Sequence, residues 1–82
     1  MVKVSFENKF KRLFSKVKDD STKGKIVTQL EKIRNNPLVG KPMRNVRKGT
    51  REVYVGSFRL MYIYLEKEDL VVILDLYHKD NQ

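Results

Sequence analysis

Arg59 stands between Phe58 and Leu60 in an otherwise apolar run. A guanidinium there is costly to cover unless it is paired or faces a polar concavity. One reading makes it a phosphate clamp, because its planar fork matches the oxygens of a phosphoryl group. The other makes it half of a salt bridge with Glu52 or Asp75. His78 and Lys79 directly follow the last apolar segment. A histidine changes charge near neutral pH and can carry protons, although a lone histidine near a chain end is often inert. Arg44, Arg47, Lys48 and Arg51 share a stretch that contains no acid. They fit contacts to a nucleic-acid backbone, with a solvated loop face as the plainer alternative. Tyr54, Tyr62, Tyr64 and Tyr77 fall in strand-like segments, where aromatic rings either stack on bases or pack against the sheet. Alternation puts Tyr62 and Tyr64 on one face. Asp75 interrupts an apolar strand and reads as a buried partner of Arg59 or of a backbone donor.

Other chemistries are excluded by composition. There is no Cys, which removes disulfides, thiolate zinc sites and cysteine nucleophiles. One His cannot make a multi-histidine metal centre. The four glycines form neither a G-x-G-x-x-G nor a P-loop pattern, so no phosphate-cradling cofactor loop is expected. The acids of 66–69 and Asp19-Asp20 read as solvated turns. Neither a metal nor a cofactor is expected.

The elements that must hold these groups follow from periodicity. Val2 to Phe6 alternates, as a short strand does. Phe6, Phe10, Leu13, Phe14 and Val17 mark one face of an amphipathic helix over 7–18. Asp19 to Thr22 ends it and offers capping oxygens to a second helix over 22–34, whose apolar face is Ile26, Val27, Leu30 and Ile33. Asn35-Asn36-Pro37 stops that helix. The short connection predicts an antiparallel helical hairpin. Residues 37–51 carry two Pro and two Gly and read as loop or irregular strand. Strands are predicted over 52–55, 58–65 and 70–77, with Gly56-Ser57 as a two-residue hairpin turn. The near-continuous apolar run from Leu70 predicts a central strand covered on both faces. The fold class is therefore α+β: a two-helix hairpin packed on one face of a small, mainly antiparallel sheet, in the order β-α-α-β-β-β.

Eighty-two residues make one domain, residues 1–82, with a thin core. The net charge of +8 favours an anionic partner, nucleic acid first. That charge is uneven. Residues 1–36 carry ten basic residues and four acids, 37–51 five basic residues and no acid, and 66–82 two basic residues and five acids. Basic residues on a loop held by a rigid scaffold are better binding candidates than those spread over a helix. No apolar run is long enough to span a membrane and no secretion signal is visible, so a cytoplasmic protein is expected.

The segment Lys48-Gly49-Thr50-Arg51-Glu52-Val53-Tyr54-Val55-Gly56-Ser57-Phe58-Arg59-Leu60-Met61-Tyr62 resembles the central hairpin of the RelE/ParE superfamily of type II toxin–antitoxin toxins. Leu74-Asp75-Leu76-Tyr77-His78-Lys79 resembles that superfamily's final strand and basic tip. Size and element order agree over nearly the whole chain, and within the superfamily the RelE- and HigB-type mRNA interferases look nearest. The resemblance implies a ribosome-dependent endoribonuclease that cuts mRNA without metal, using the substrate's own 2′-hydroxyl. It implies Arg59 on the scissile phosphate, Lys79 and His78 as the other catalytic groups, and Arg44 among the loop basics. Arg44, Arg47, Lys48, Arg51, Tyr54 and Tyr77 would form the RNA-binding set. The implied partners are the ribosome with its mRNA and a cognate acidic, RelB-like antitoxin. Glu52 and Tyr54 stand where RelE-type enzymes carry two basic strand residues. Glu52 agrees with the glycine-then-glutamate pattern of HigB-like members, which implies a structural part for it. Tyr77 or Tyr54 would replace the C-terminal tyrosine with which RelE stacks on a base. The alternatives are a ParE-type gyrase inhibitor on the same scaffold, a catalytically weakened nucleic-acid-binding member, and a degenerate toxin kept for repressor assembly.

Overall fold

The computed structural model describes residues 2–43 and 49–81. Arg44, Arg47 and Lys48 of the expected RNA-binding set lie outside the described residues. The chain opens with strand β1 (Lys3–Phe6) and the helices α1 (Asn8–Ser15) and α2 (Asp20–Asn35). A two-residue strand β2 (Lys41–Pro42), then β3 (Arg51–Val55), β4 (Phe58–Leu65) and β5 (Leu70–His78) complete the sheet. The strands lie in the order β1-β5-β4-β3-β2. β1 runs parallel to β5, and every other pairing is antiparallel.

Local chemistry sets the element ends. α1 stops at Ser15, three residues short of the sequence expectation. There the amides of Lys16 and Val17 bond back three residues, to the carbonyls of Leu13 and Phe14, and tighten the last turn. α2 begins two residues earlier than expected. The Asp19 carboxylate accepts from the Ser21 amide at 3.2 Å and from the Thr22 hydroxyl at 2.7 Å, which caps the helix. Those hydrogen bonds, Thr22 first, lower the pKa of Asp19. Gly56 takes φ +57 at the β3–β4 turn, a conformation open to glycine at little cost. Gly40 matters for space instead: a Cβ there would lie 2.7 Å from the Tyr62 ring and hydroxyl.

The helices cover one side of the sheet. Phe10, Ile26 and Ile33 pack with Val55, Leu60, Tyr62, Val71, Ile73 and Leu76 to form the core. Two expectations change here. β5 is central, but its burial alternates along Leu70–Leu74, with Val71 and Ile73 buried and Leu70, Val72 and Leu74 half-buried. It is therefore fully covered on one face only, because both helices lie on the same side. Tyr62 and Tyr64 do share a side, yet not an environment. Tyr62 is fully buried, and its hydroxyl donates to the Pro37 carbonyl at 2.7 Å and accepts from the Gly40 amide at 2.8 Å. Tyr64 lies near the strand end and donates to the Asp69 carboxylate at 2.7 Å.

Register is not uniform. Met61 faces Asp75 and Tyr62 faces Ile73, so Leu74 has no opposite residue. This bulge bends β5 and re-aims the side chains beyond it. β1 pairs only with Leu70–Ile73, and the amide of Glu7 closes that ladder on the Ile73 carbonyl at 2.9 Å. Among the described residues no strand pairs with the outer edge of β5 past Ile73. α1 lies there instead, and the Lys9 ammonium reaches the Asp75 carboxylate at 3.1 Å.

Candidate functional site

Cross-strand register gathers the site. In an antiparallel sheet, opposite residues point to the same side with Cβ atoms about 5 Å apart. Tyr54, Arg59 and Tyr77 form one such row, and Glu52, Met61 and Asp75 form the next. Alternation places Glu52 and Tyr54 on the side of β3 opposite Arg51, Val53 and Val55.

Arg59 is held from two directions. Its guanidinium lies 3.9 Å from the centroid of the Tyr54 ring. One of its nitrogens, Nη1, donates to the Gly56 carbonyl at 3.2 Å and the Phe58 carbonyl at 3.1 Å. The expected salt bridge with Glu52 or Asp75 is not what holds it. Glu52 accepts from the Tyr77 hydroxyl at 2.6 Å, and Asp75 binds Lys9 and its neighbour's amide, Leu76 N. Among the described residues no carboxylate pairs with Arg59. A planar cation clamped on an aromatic face loses little freedom when an anion arrives.

His78 and Lys79 lie at the end of β5, next to the Gly56-Ser57 turn. His78 is opposite Phe58, with the two rings edge to face at 5.5 Å. Its Nδ1 accepts from the Asp80 amide at 3.2 Å, which places the proton of the neutral ring on Nε2. In the protonated ring that nitrogen instead has the Asp80 carboxylate at 3.4 Å. The Lys79 amide donates to the Ser57 carbonyl at 2.8 Å, so the end of β5 is fastened to the same turn that anchors Arg59. The Lys79 side chain is exposed. Arg59, His78 and Lys79, expected from the sequence to act together, all adjoin the Gly56-Ser57 turn, but alternation turns His78 to the side of Phe58 and the helices and Arg59 to the other side.

The remaining expected residues divide. Tyr54 is 54% exposed and offers its ring to solvent beside Arg59. Tyr77 is half-buried and turned toward Glu52. Arg51 lies on the helix side, where its Nη1 donates to the carbonyls of Gly40 at 2.8 Å and Leu38 at 3.2 Å. It ties the 38–40 segment to β3 and is directed away from Arg59.

Sequence reasoning missed the Tyr77–Glu52 hydrogen bond, which joins residues 25 apart through a diagonal across β4. The one available signal was a carboxylate in a strand that alternation places beside Arg59. Lys41 was also missed. It is opposite Glu52 on β2, where a two-residue strand leaves no periodicity to read.

Beside the outer edge of β5 past Ile73 runs a groove of about 710 Å³. α1 supplies Leu13, Lys16 and Val17, and the sheet supplies Phe58, Tyr77 and His78. Among the described residues no group of His, Asp and Glu is placed to hold a metal ion, and no helix is long and apolar enough to cross a membrane.

Two helices on one side of a five-stranded, mostly antiparallel sheet in this element order are the fold of RelE-like toxin structures. The chain belongs to the ParE toxin family of type II toxin–antitoxin systems, whose family model matches residues 1–82. Among solved structures it is similar to the toxin–antitoxin complex RelBE2 from Mycobacterium tuberculosis. The TM-score is 0.82 at 29% identity, covering 94% of this chain and 96% of that one. It is also similar to a YoeB/ParE toxin from Agrobacterium tumefaciens, with TM-score 0.83, 12% identity and coverage of 94% and 98%. The intact E. coli RelBE complex gives TM-score 0.81, 11% identity and coverage of 95% and 96%. None of the curated protein sequences matches it. The chain is a RelE/ParE-type toxin, identified through the ParE family model rather than through the RelE- or HigB-type subgroup that the motifs resemble.

Proposed function

We propose that this toxin is a ribosome-dependent mRNA endoribonuclease that uses the substrate's 2′-hydroxyl as nucleophile and needs no metal. The observation that carries the reading is Arg59, clamped on Tyr54 and the Gly56 and Phe58 carbonyls with no carboxylate partner among the described residues. A preorganised cation of this kind stabilises charge that develops on a phosphate without reorganising at the moment of reaction. Lys79, fastened to the adjacent turn, adds a second positive charge, and His78 exchanges a proton with the leaving oxygen. Tyr54 presents a ring on which a base stacks. The basic residues Arg44, Arg47 and Lys48 contact the RNA backbone.

The RelBE complexes among the structural relatives support a cognate antitoxin as the second partner. An acidic, RelB-like chain complements the net charge of +8. The site of action is expected to be the cytoplasm, where ribosomes are.

The test is cleavage of ribosome-bound mRNA, mapped by primer extension. Arg59→Ala is expected to abolish it with the circular dichroism spectrum intact, and 2′-deoxy substitution at the scissile nucleotide is expected to block it. Unchanged cleavage by folded Arg59→Ala sinks the role of Arg59. The family model favours a second reading, a ParE-type toxin that binds gyrase. Inhibited supercoiling with no cut mRNA would establish that reading instead.

A further inference from the structure

Glu52 and Asp75 are the two buried charged side chains among the described residues. Lys9 neutralises Asp75 at 3.1 Å. Glu52, 6% exposed, instead receives the Tyr77 hydroxyl at 2.6 Å, a distance typical of an O–H donated to an ionised carboxylate. Tyr77 is opposite Arg59 in the ladder, on the same side of the sheet, and its hydroxyl reaches Glu52 in the next row. A phenol oxygen that donates its proton to a carboxylate can also accept one.

We infer that Tyr77 and Glu52 form a proton relay that activates the 2′-hydroxyl, with Tyr77 as the group that touches it and Glu52 as the acceptor behind it. This rests on the endoribonuclease reading above. The 2′-hydroxyl proton passes to the Tyr77 oxygen while the Tyr77 proton passes to the Glu52 carboxylate. The freed 2′-oxygen forms a bond to phosphorus, and the bond from phosphorus to the 5′-oxygen breaks. That oxygen leaves with a proton from the imidazolium of His78. The products are a 2′,3′-cyclic phosphate and a 5′-hydroxyl. Glu52 then returns its proton to Tyr77, whose own proton goes to water, and the neutral His78 takes one up. No oxidant or metal enters the balance.

Tyr54 holds Arg59 from below, and Glu52 works through Tyr77. Among the described residues, the charged and titratable groups around the pair are Lys41 on β2, Tyr54 on β3, Arg59 on β4, and Asp75 with its Lys9 partner and His78 at β5.

The test is the rate of ribosome-bound mRNA cleavage as a function of pH for wild type, Glu52→Gln and Tyr77→Phe. Glutamine keeps the shape of Glu52 and still accepts from Tyr77, so it preserves the fold. Both variants are expected to cleave about 10²-fold more slowly or worse, the scale of a lost general base. Wild type is expected to lose rate as pH falls and the carboxylate protonates, and Glu52→Gln is expected to lack that acid limb. Glu52→Asp is expected to retain the limb. A merely structural Glu52 would leave the shape of the profile alone. Wild-type cleavage with an unchanged rate and profile in folded Glu52→Gln overturns the relay by itself. Wild type that cuts no ribosome-bound mRNA overturns the endoribonuclease reading and the relay with it.

Discussion

An arginine on a strand face keeps a fixed position only if something other than its own flexible stem holds it. Here the Tyr54 ring does so from one side and two turn carbonyls do so from the other. A cation–π contact at a partly exposed site contributes about 0.5–1 kcal/mol. Tyr54→Ala is therefore expected to slow mRNA cleavage about 2–5-fold through Arg59 alone, and further if a base stacks on the ring. Tyr54→Phe keeps the aromatic face and is expected to stay near wild type. Comparing the two variants in a single-turnover cleavage assay checks this. The pairing of β4 with β5 was legible, because a meander of strands and a two-residue turn are, and that pairing brings Arg59 and His78 to one end of the sheet, on opposite sides. The sequence did not reveal what holds Arg59. A guanidinium over a ring has no periodic signature, and the two carboxylates that looked like its partners are engaged by Tyr77 and Lys9.

At the scale of elements, the segment after the second helix is joined to β4 through Tyr62 and to β3 through Arg51. The Tyr62 hydroxyl bonds to Pro37 and Gly40, just beyond α2, while Arg51 on β3 binds the carbonyls of Leu38 and Gly40. Tyr62→Phe leaves a buried amide and carbonyl without that partner and is expected to cost about 1–3 kcal/mol by chemical denaturation. The same residue gives a pH dependence. Burial holds its pKa above the ordinary 10.0, against the smaller opposing effects of the Gly40 amide and Arg51. The raised value means that Tyr62 stabilises the fold fully below the unfolded pKa, and that this is lost as pH rises through the folded one. Wild type is expected to weaken from about pH 10 upward, and Tyr62→Phe to weaken less over that range, as followed by urea midpoints. Tyr64 is also raised, first by its bond to Asp69, so Tyr64→Phe is the matching control. The helices and long strands were legible from period and capping, to within a few residues. The bulge at Leu74 was not, since an unbroken apolar run reads the same with or without an extra residue. The run also implied two covered faces, whereas both helices share one side.

For the whole molecule, charge sets strength of binding more than chemistry. Each phosphate neutralised on single-stranded RNA contributes about −0.7 to the slope of log affinity against log salt. Affinity for ribosome-bound mRNA is expected to fall steeply with salt, and Arg59→Ala to flatten the slope by about one phosphate contact. Filter binding at a series of salt concentrations measures both. An unaltered slope in Arg59→Ala would mean that this arginine grips no phosphate. Composition points to an anionic partner, and the fold places one candidate contact, Arg59, on the side of the sheet that the helices leave uncovered.

The parallel pairing of β1 with β5 joins the first strand of the chain to the last. Contacts of such wide sequence separation form late, because the intervening chain must close before they bring any stabilisation. Arg59 and Tyr77 also need β4 and β5 side by side. A nascent chain emerging from its own ribosome therefore has no assembled site until its final strand is synthesised and free to dock. The order of strands is in effect a timer that withholds the assembled site from the unfinished molecule.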